Sequence, residues 1–79
     1  MKVEQLYPLL KLLNEDVAKK QSCSALIDGA GWMAVVGGHY DPDDGLVQFL
    51  LPGDDDIITT VPESVLAIRS RPSTIYAGI

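Results

Sequence analysis

Between residues 31 and 69 short apolar runs alternate with clusters of glycine, proline and aspartate, in the order GWMAVVGGHYDPDDGLVQFLLPGDDDIITTVPESVLAIR. Runs this short, broken this often, fold as strands joined by tight turns, because a stable helix needs more uninterrupted residues than the breakers leave. A chain of 79 residues holds one such unit and no second domain. A domain of that size withdraws only about 60% of its unfolded surface from water, so association with another chain would add burial that it lacks. With 47% of its residues hydrophobic the chain still has the material for a core, which argues against wholesale disorder.

The residues before this stretch read differently. Val3, Leu6, Leu10, Leu13 and Val17 recur at spacings of three and four, the stripe of an amphipathic helix, and Leu9 and Leu12 widen it. Glu15 and Lys19, and Asp16 and Lys20, are acid-before-base pairs at i,i+4, and Glu4 and the two lysines suit the helix dipole. Pro8 either begins the helix or kinks it. The expectation is a helix from about residue 4 to 20, covering one face or an open end of a sheet. The alternative is that Tyr7, Leu9 and Leu12 form a second apolar edge for a partner or a second copy.

The remaining elements follow in order. A strand is expected near 23–28, a turn at Gly29-Ala30-Gly31 and a strand over 32–37 with Trp32, Ala34 and Val36 on one face and Met33 and Val35 on the other. With both faces apolar, that strand reads as buried on two sides or closed into a small barrel, and Trp32 as a core residue, an interface anchor being the alternative. His39 to Gly45 reads as a polar loop, with Asp44-Gly45 its turn signal. Leu46–Leu51 is a strand with Val47, Phe49 and Leu51 on one face, Pro52 to Asp56 a turn, and Ile57–Val61 a β-branched strand. One helical turn after Pro62 and a short strand from Val65 to Arg69 follow. Ile75, Tyr76 and Ile79 then add an edge strand or hang as a tail over residues 70–79.

The fold class is therefore α+β, one N-terminal helix followed by four to six short antiparallel strands. Strands joined by acidic turns, then a proline-initiated turn and a closing strand, resemble the layout of small SH3-like barrels over residues 31–69. A helix on an open antiparallel sheet is the rival arrangement.

Charge is distributed unevenly. The net charge is −5, yet all six basic residues (Lys2, Lys11, Lys19, Lys20, Arg69 and Arg71) lie outside residues 21–68. That window holds Asp28, Asp41, Asp43, Asp44, Asp54, Asp55, Asp56 and Glu63 and no lysine or arginine. A surface of that sign repels nucleic acid and anionic lipid and attracts basic partners. One cysteine, Cys23, allows no internal disulfide, and no apolar run spans a bilayer. The expectation is a soluble, cytoplasmic chain.

Motifs for chemistry fail when counted. Starting from Asp41, the sixth position of a calcium loop falls on Leu46 and the twelfth on Pro52, where glycine and glutamate are required. The two acidic turns lie at opposite ends of Leu46–Leu51, roughly 20 Å apart, too far to share a small ligand. Cys23 stands in Ser-Cys-Ser with no glycine-rich elbow to pair it with His39. Gly29-Ala30-Gly31 and Gly37-Gly38 build no phosphate loop. No catalytic residue, metal or cofactor is expected.

What remains is a candidate partner-binding surface made of Tyr40, His39, Asp41, Asp43 and Asp44 in one turn and Asp54, Asp55 and Asp56 in the other. The plainer reading of those acids is solubility. The functional one is electrostatic complementarity to a lysine- and arginine-rich surface of a larger intracellular protein. The sequence thus points to a small acidic inhibitor or adaptor, of the kind phages and mobile elements encode. The alternative is a structural subunit or homodimer joined through Leu9 and Leu12 or an edge strand.

Overall fold

A computed structural model describes residues 1–53, 56–70 and 75–77. Helix α1 (Val3–Ala18) is followed by strands β1 (Cys23–Ile27), β2 (Gly31–Val35), β3 (Gly37–Asp41), β4 (Leu46–Leu50) and β5 (Ile57–Thr60). A 3-10 turn at Pro62–Ser64 leads into β6 (Val65–Ser70), and β7 (Ile75–Ala77) ends the described chain. All pairings are antiparallel, in two sheets of order β2-β1-β6-β7 and β3-β4-β5. The α+β class holds. The strands form two open sheets, not one closed barrel, because the chain passes from β2 to β3 through a bend at Val36 and changes sheet there. The Val36 amide donates to the Leu50 carbonyl at 2.7 Å, tying that crossing to the second sheet.

Helix α1 starts one residue earlier than its stripe predicts and runs through Pro8, which is exposed. The missing proline N–H costs little there, because the Glu4 carbonyl it would have bonded belongs to an exposed first turn. Gln5 closes the N-terminus by accepting the Lys2 amide on its side chain at 3.1 Å. The other end is a Schellman motif: the Gln21 amide donates to the Asp16 carbonyl at 2.9 Å, and that of Lys20 to Val17 at 2.9 Å. Lys20 occupies the left-handed position with φ 63°, where glycine is the strain-free residue. Asp16, expected on the helix surface beside Lys20, is instead only 1% exposed. Among the described residues no buried side-chain polar atom lacks a partner.

The core is built where the helix meets both sheets. Leu6, Leu10 and Leu13 of α1 are buried with Cys23, Ala25 and Ile27 of β1, Val35 of β2, Val47 and Phe49 of β4, and Val65 and Ile68 of β6. The Met1 nitrogen donates to the Pro62 and Val65 carbonyls at 2.9 and 2.7 Å, so the approach to α1 is fastened to the 3-10 turn and β6.

Two sequence expectations are corrected. Residues 37–41, read as the end of one strand and the start of a polar loop, are strand β3, paired residue for residue with β4 from Gly37↔Leu50 to Asp41↔Leu46. Two glycines weaken a strand in isolation, but here the missing side chain of Gly38 admits the helix. Trp32 is not a core residue: it is 41% exposed, and its side of β2 faces outward with Ala34. Because α1 covers only one side of the first sheet, just one apolar face of β2 is buried, the side of Val35 and half-buried Met33. The Arg69 guanidinium, reaching across β1, lies 4.8 Å from the Trp32 ring centroid and covers part of the indole.

Gly38 is a point of close approach between helix and sheet. A methyl group there would lie 2.7 Å from Leu10 Cδ2 and 3.2 Å from Leu13 Cδ2 and Phe49 Cδ1, whereas at Gly37 the nearest atoms are 3.6 and 3.7 Å away. Gly38→Ala is expected to destabilise the fold by about 1–3 kcal/mol, and Gly37→Ala by much less, in urea unfolding followed by circular dichroism. Lys20→Gly is expected to raise the midpoint of the same transition, by about 1 kcal/mol in stability.

Candidate functional site

The acidic turn between β3 and β4 is held in shape by its own carboxylates. The Asp43 amide donates to Asp41 Oδ1 at 2.9 Å and the Leu46 amide to Asp44 Oδ1 at 3.0 Å, two Asx turns in succession. The Gly45 amide closes the loop onto the Asp41 carbonyl at 2.9 Å, with Gly45 at φ 72°, the left-handed conformation that the Asp-Gly pair predicts. Asp43 and Asp44 are exposed and Asp41 half-buried. Five of the sequence-predicted residues, His39, Tyr40, Asp41, Asp43 and Asp44, thus lie at the end of β3 and in its turn, with Tyr40 packed against the core and His39 exposed.

Asp56 belongs to the other turn, where its carbonyl accepts the Leu51 amide at 2.9 Å and its side chain is exposed. Strand β4 separates it from the first turn, as the sequence spacing requires. Asp54 and Asp55 lie outside the described residues. Among the described residues no three histidine, cysteine, aspartate or glutamate side chains gather as a metal site.

Cys23 and His39 do not share a site. Cys23 is buried in β1, its thiol directed to the Gln21 carbonyl at 3.7 Å and the Leu13 carbonyl at 4.0 Å. His39 is exposed on β3, in the other sheet, opposite Gln48.

Apart from Tyr7, already placed on a second apolar edge, the residues that sequence reasoning missed are mostly on the helix. An open groove of about 530 Å³ runs between α1 and β3, with Tyr7, Lys11, Asn14, Glu15 and Ala18 on one side and Gly38, His39 and Tyr40 on the other, over Leu10. Those helix positions form a single stripe at spacings of three and four, visible as a helix face once the strand beside it is known. At one end Tyr7 and Tyr40 meet edge to face, ring centroids 5.3 Å apart. Tyr7 is 48% exposed and Tyr40 half-buried against the core.

In the middle, Asn14 pairs with the backbone of Gly38 as a neighbouring strand would. Its Nδ2 donates to the Gly38 carbonyl at 2.9 Å, and the Gly38 amide donates to Asn14 Oδ1 at 3.0 Å. The edge of β3 is therefore occupied at Gly38 by a side chain, a local answer to the exposed-edge problem.

Removing this amide leaves two backbone groups of Gly38 to water. Asn14→Ala is expected to cost about 1–2 kcal/mol in chemical denaturation and to speed amide hydrogen exchange at Gly38 selectively. No protein-family model, curated protein or solved structure matches this chain.

Proposed function

We propose that this chain is a non-enzymatic protein-binding module, an inhibitor or adaptor that docks its acidic face on a lysine- and arginine-rich surface of a larger intracellular protein. The observation that carries the reading is the second sheet: β3, β4, β5 and their turns contain no lysine or arginine, while Asp43, Asp44 and Asp56 are exposed at its two ends. The Asx turns hold the first set of carboxylates before any partner arrives, so less order is lost on binding. Uncompensated charge of one sign steers a partner of the other and raises the association rate more than the final affinity. Asp54 and Asp55 extend the second set in sequence. The proposal places the chain in the cytoplasm, where its one cysteine stays reduced. No helix among the described residues is long and apolar enough to cross a membrane.

A second reading, a subunit or homodimer joined by a sheet face, is favoured by a separate observation. On the outward side of the second sheet Leu50 and Ile57 stand in one cross-strand row with Gly37, and Ile57 is 55% exposed. Exposed Val61 follows β5. The helix offers less: Leu6, Leu10 and Leu13 are buried, and Leu9 is half-buried against the core, with Leu12 half-buried as well.

The test is affinity capture from cell lysate at low and high salt, with an Asp43→Asn, Asp44→Asn, Asp56→Asn triple variant beside the parent. Raising salt from 0.1 M to 1 M shortens the Debye length from about 10 to about 3 Å. The acidic-face reading requires a partner that is basic, lost at high salt and captured by the variant with an association rate lower by about three- to tenfold. A partner retained equally by the variant and at high salt contradicts it. Sedimentation as a dimer disrupted by Ile57→Glu, and not by the triple variant, supports the second reading instead.

A further inference from the structure

We infer that the groove between α1 and β3 is the seat of an arginine-bearing segment of the partner, with the Tyr7–Tyr40 pair as its anchor. The inference rests on the acidic-face reading and names the place where that face would grip.

Three observations carry it. The groove, about 530 Å³, is within the range of pockets that bind ligands and is open along its length. Its aromatic end adjoins the acidic turn, because Tyr40 is followed directly by Asp41 and then by exposed Asp43 and Asp44, while exposed Glu4 lies one turn before Tyr7 on α1. Against these acids the groove holds one cation, Lys11, and Glu15 stands four residues on, the spacing at which side chains on a helix meet. The aromatic end thus lies next in the chain to acids on both elements, while the groove's own lining holds one acid, Glu15, and one base, Lys11.

A guanidinium satisfies both features. It stacks on an aromatic face and forks toward carboxylates, whereas an ammonium presents only a compact, strongly hydrated charge. The same chemistry already operates within this fold, where Arg69 lies over Trp32. Recognition here must come from side chains. Asn14 fills the edge of β3 at Gly38, so a peptide is not able to add as another strand at that point without displacing the amide.

The experiment uses the full chain, isotope-labelled, with backbone amide shifts recorded while an acetylated and amidated octapeptide GSRGSRGS is added at low salt. The matched peptide GSQGSQGS serves as the uncharged control. Shifts at Tyr7, Lys11, Asn14, Gly38, His39 and Tyr40, given by the arginine peptide alone, are the expected result. Tyr7→Ala, at a half-exposed position that the core does not need, is expected to weaken the peptide about three- to tenfold while Tyr7→Phe retains it. Lys11→Ala is expected to tighten it about twofold by removing the one like charge.

Shifts confined to residues 41–45 and Asp56 would overturn the groove assignment and leave the acidic-face reading standing. An equal response to the glutamine peptide would overturn the guanidinium as the recognised group. No shift with either peptide overturns the groove as well, and the fate of the broader reading is then decided by the salt-dependent capture.

Discussion

Everything in this fold depends on helix α1 reaching the backbone of β3. A helix usually stands off a sheet by the thickness of the side chains between them, but Gly38 has none, and Leu10, Leu13 and Phe49 close over the space it leaves. The close approach also brings the Asn14 amide within hydrogen-bonding distance of the Gly38 N–H and carbonyl. Packing and polar satisfaction therefore come from the same contact. In a domain with so little interior, the loss of either is a large share of the total stability, which for small domains is about 5–15 kcal/mol.

That contact also explains why there are two sheets. The chain bends at Val36, and the second sheet turns its Gly38–Tyr40 side toward the helix while β1 and β6 present Cys23, Ala25, Val65 and Ile68 from the first. One helix serves both, so each sheet keeps an uncovered outer face. Trp32 stands on one such face and Leu50 and Ile57 on the other. On the first, Arg69 lies over the indole. On the second, the uncovered row is interrupted by Gly37, which leaves a hollow of about 220 Å³ beside His39, Gln48, Leu50 and Ile57. Surplus apolar surface of this kind is what a domain too small to cover both sides of its sheets retains.

The acidic turns belong to this geometry too. A turn that uses its aspartates to bond its own backbone keeps those carboxylates at the surface, and the first turn does so twice within four residues. The charge pattern of the chain then becomes spatial: among the described residues Lys2, Lys11, Lys19 and Lys20 sit on or beside the helix and Arg69 near the end of β6, and the second sheet is free of basic residues. A field of one sign over one part of a small domain favours encounter in one orientation.

Local signals carried much of this in the sequence alone. The leucine stripe specified α1 to within two residues at either end, the β-branched and apolar runs specified β4 and β5, and Asp44-Gly45 specified the left-handed turn. The one-signed window was legible as well, because charge is a property of residues and not of their contacts. Three things were not. Strand β3 has glycines where a strand former is expected, and only pairing with β4 and contact with α1 make it a strand. The exposure of Trp32 depends on which of two apolar faces the helix covers, which no periodicity distinguishes. The groove joins residues 7–18 to residues 38–40, and its chemistry exists only once a helix face and a strand edge, separate in sequence, are brought side by side. Short-range patterns decide what each segment becomes; the burial of one helix between two sheets decides which of their surfaces are left to meet a partner.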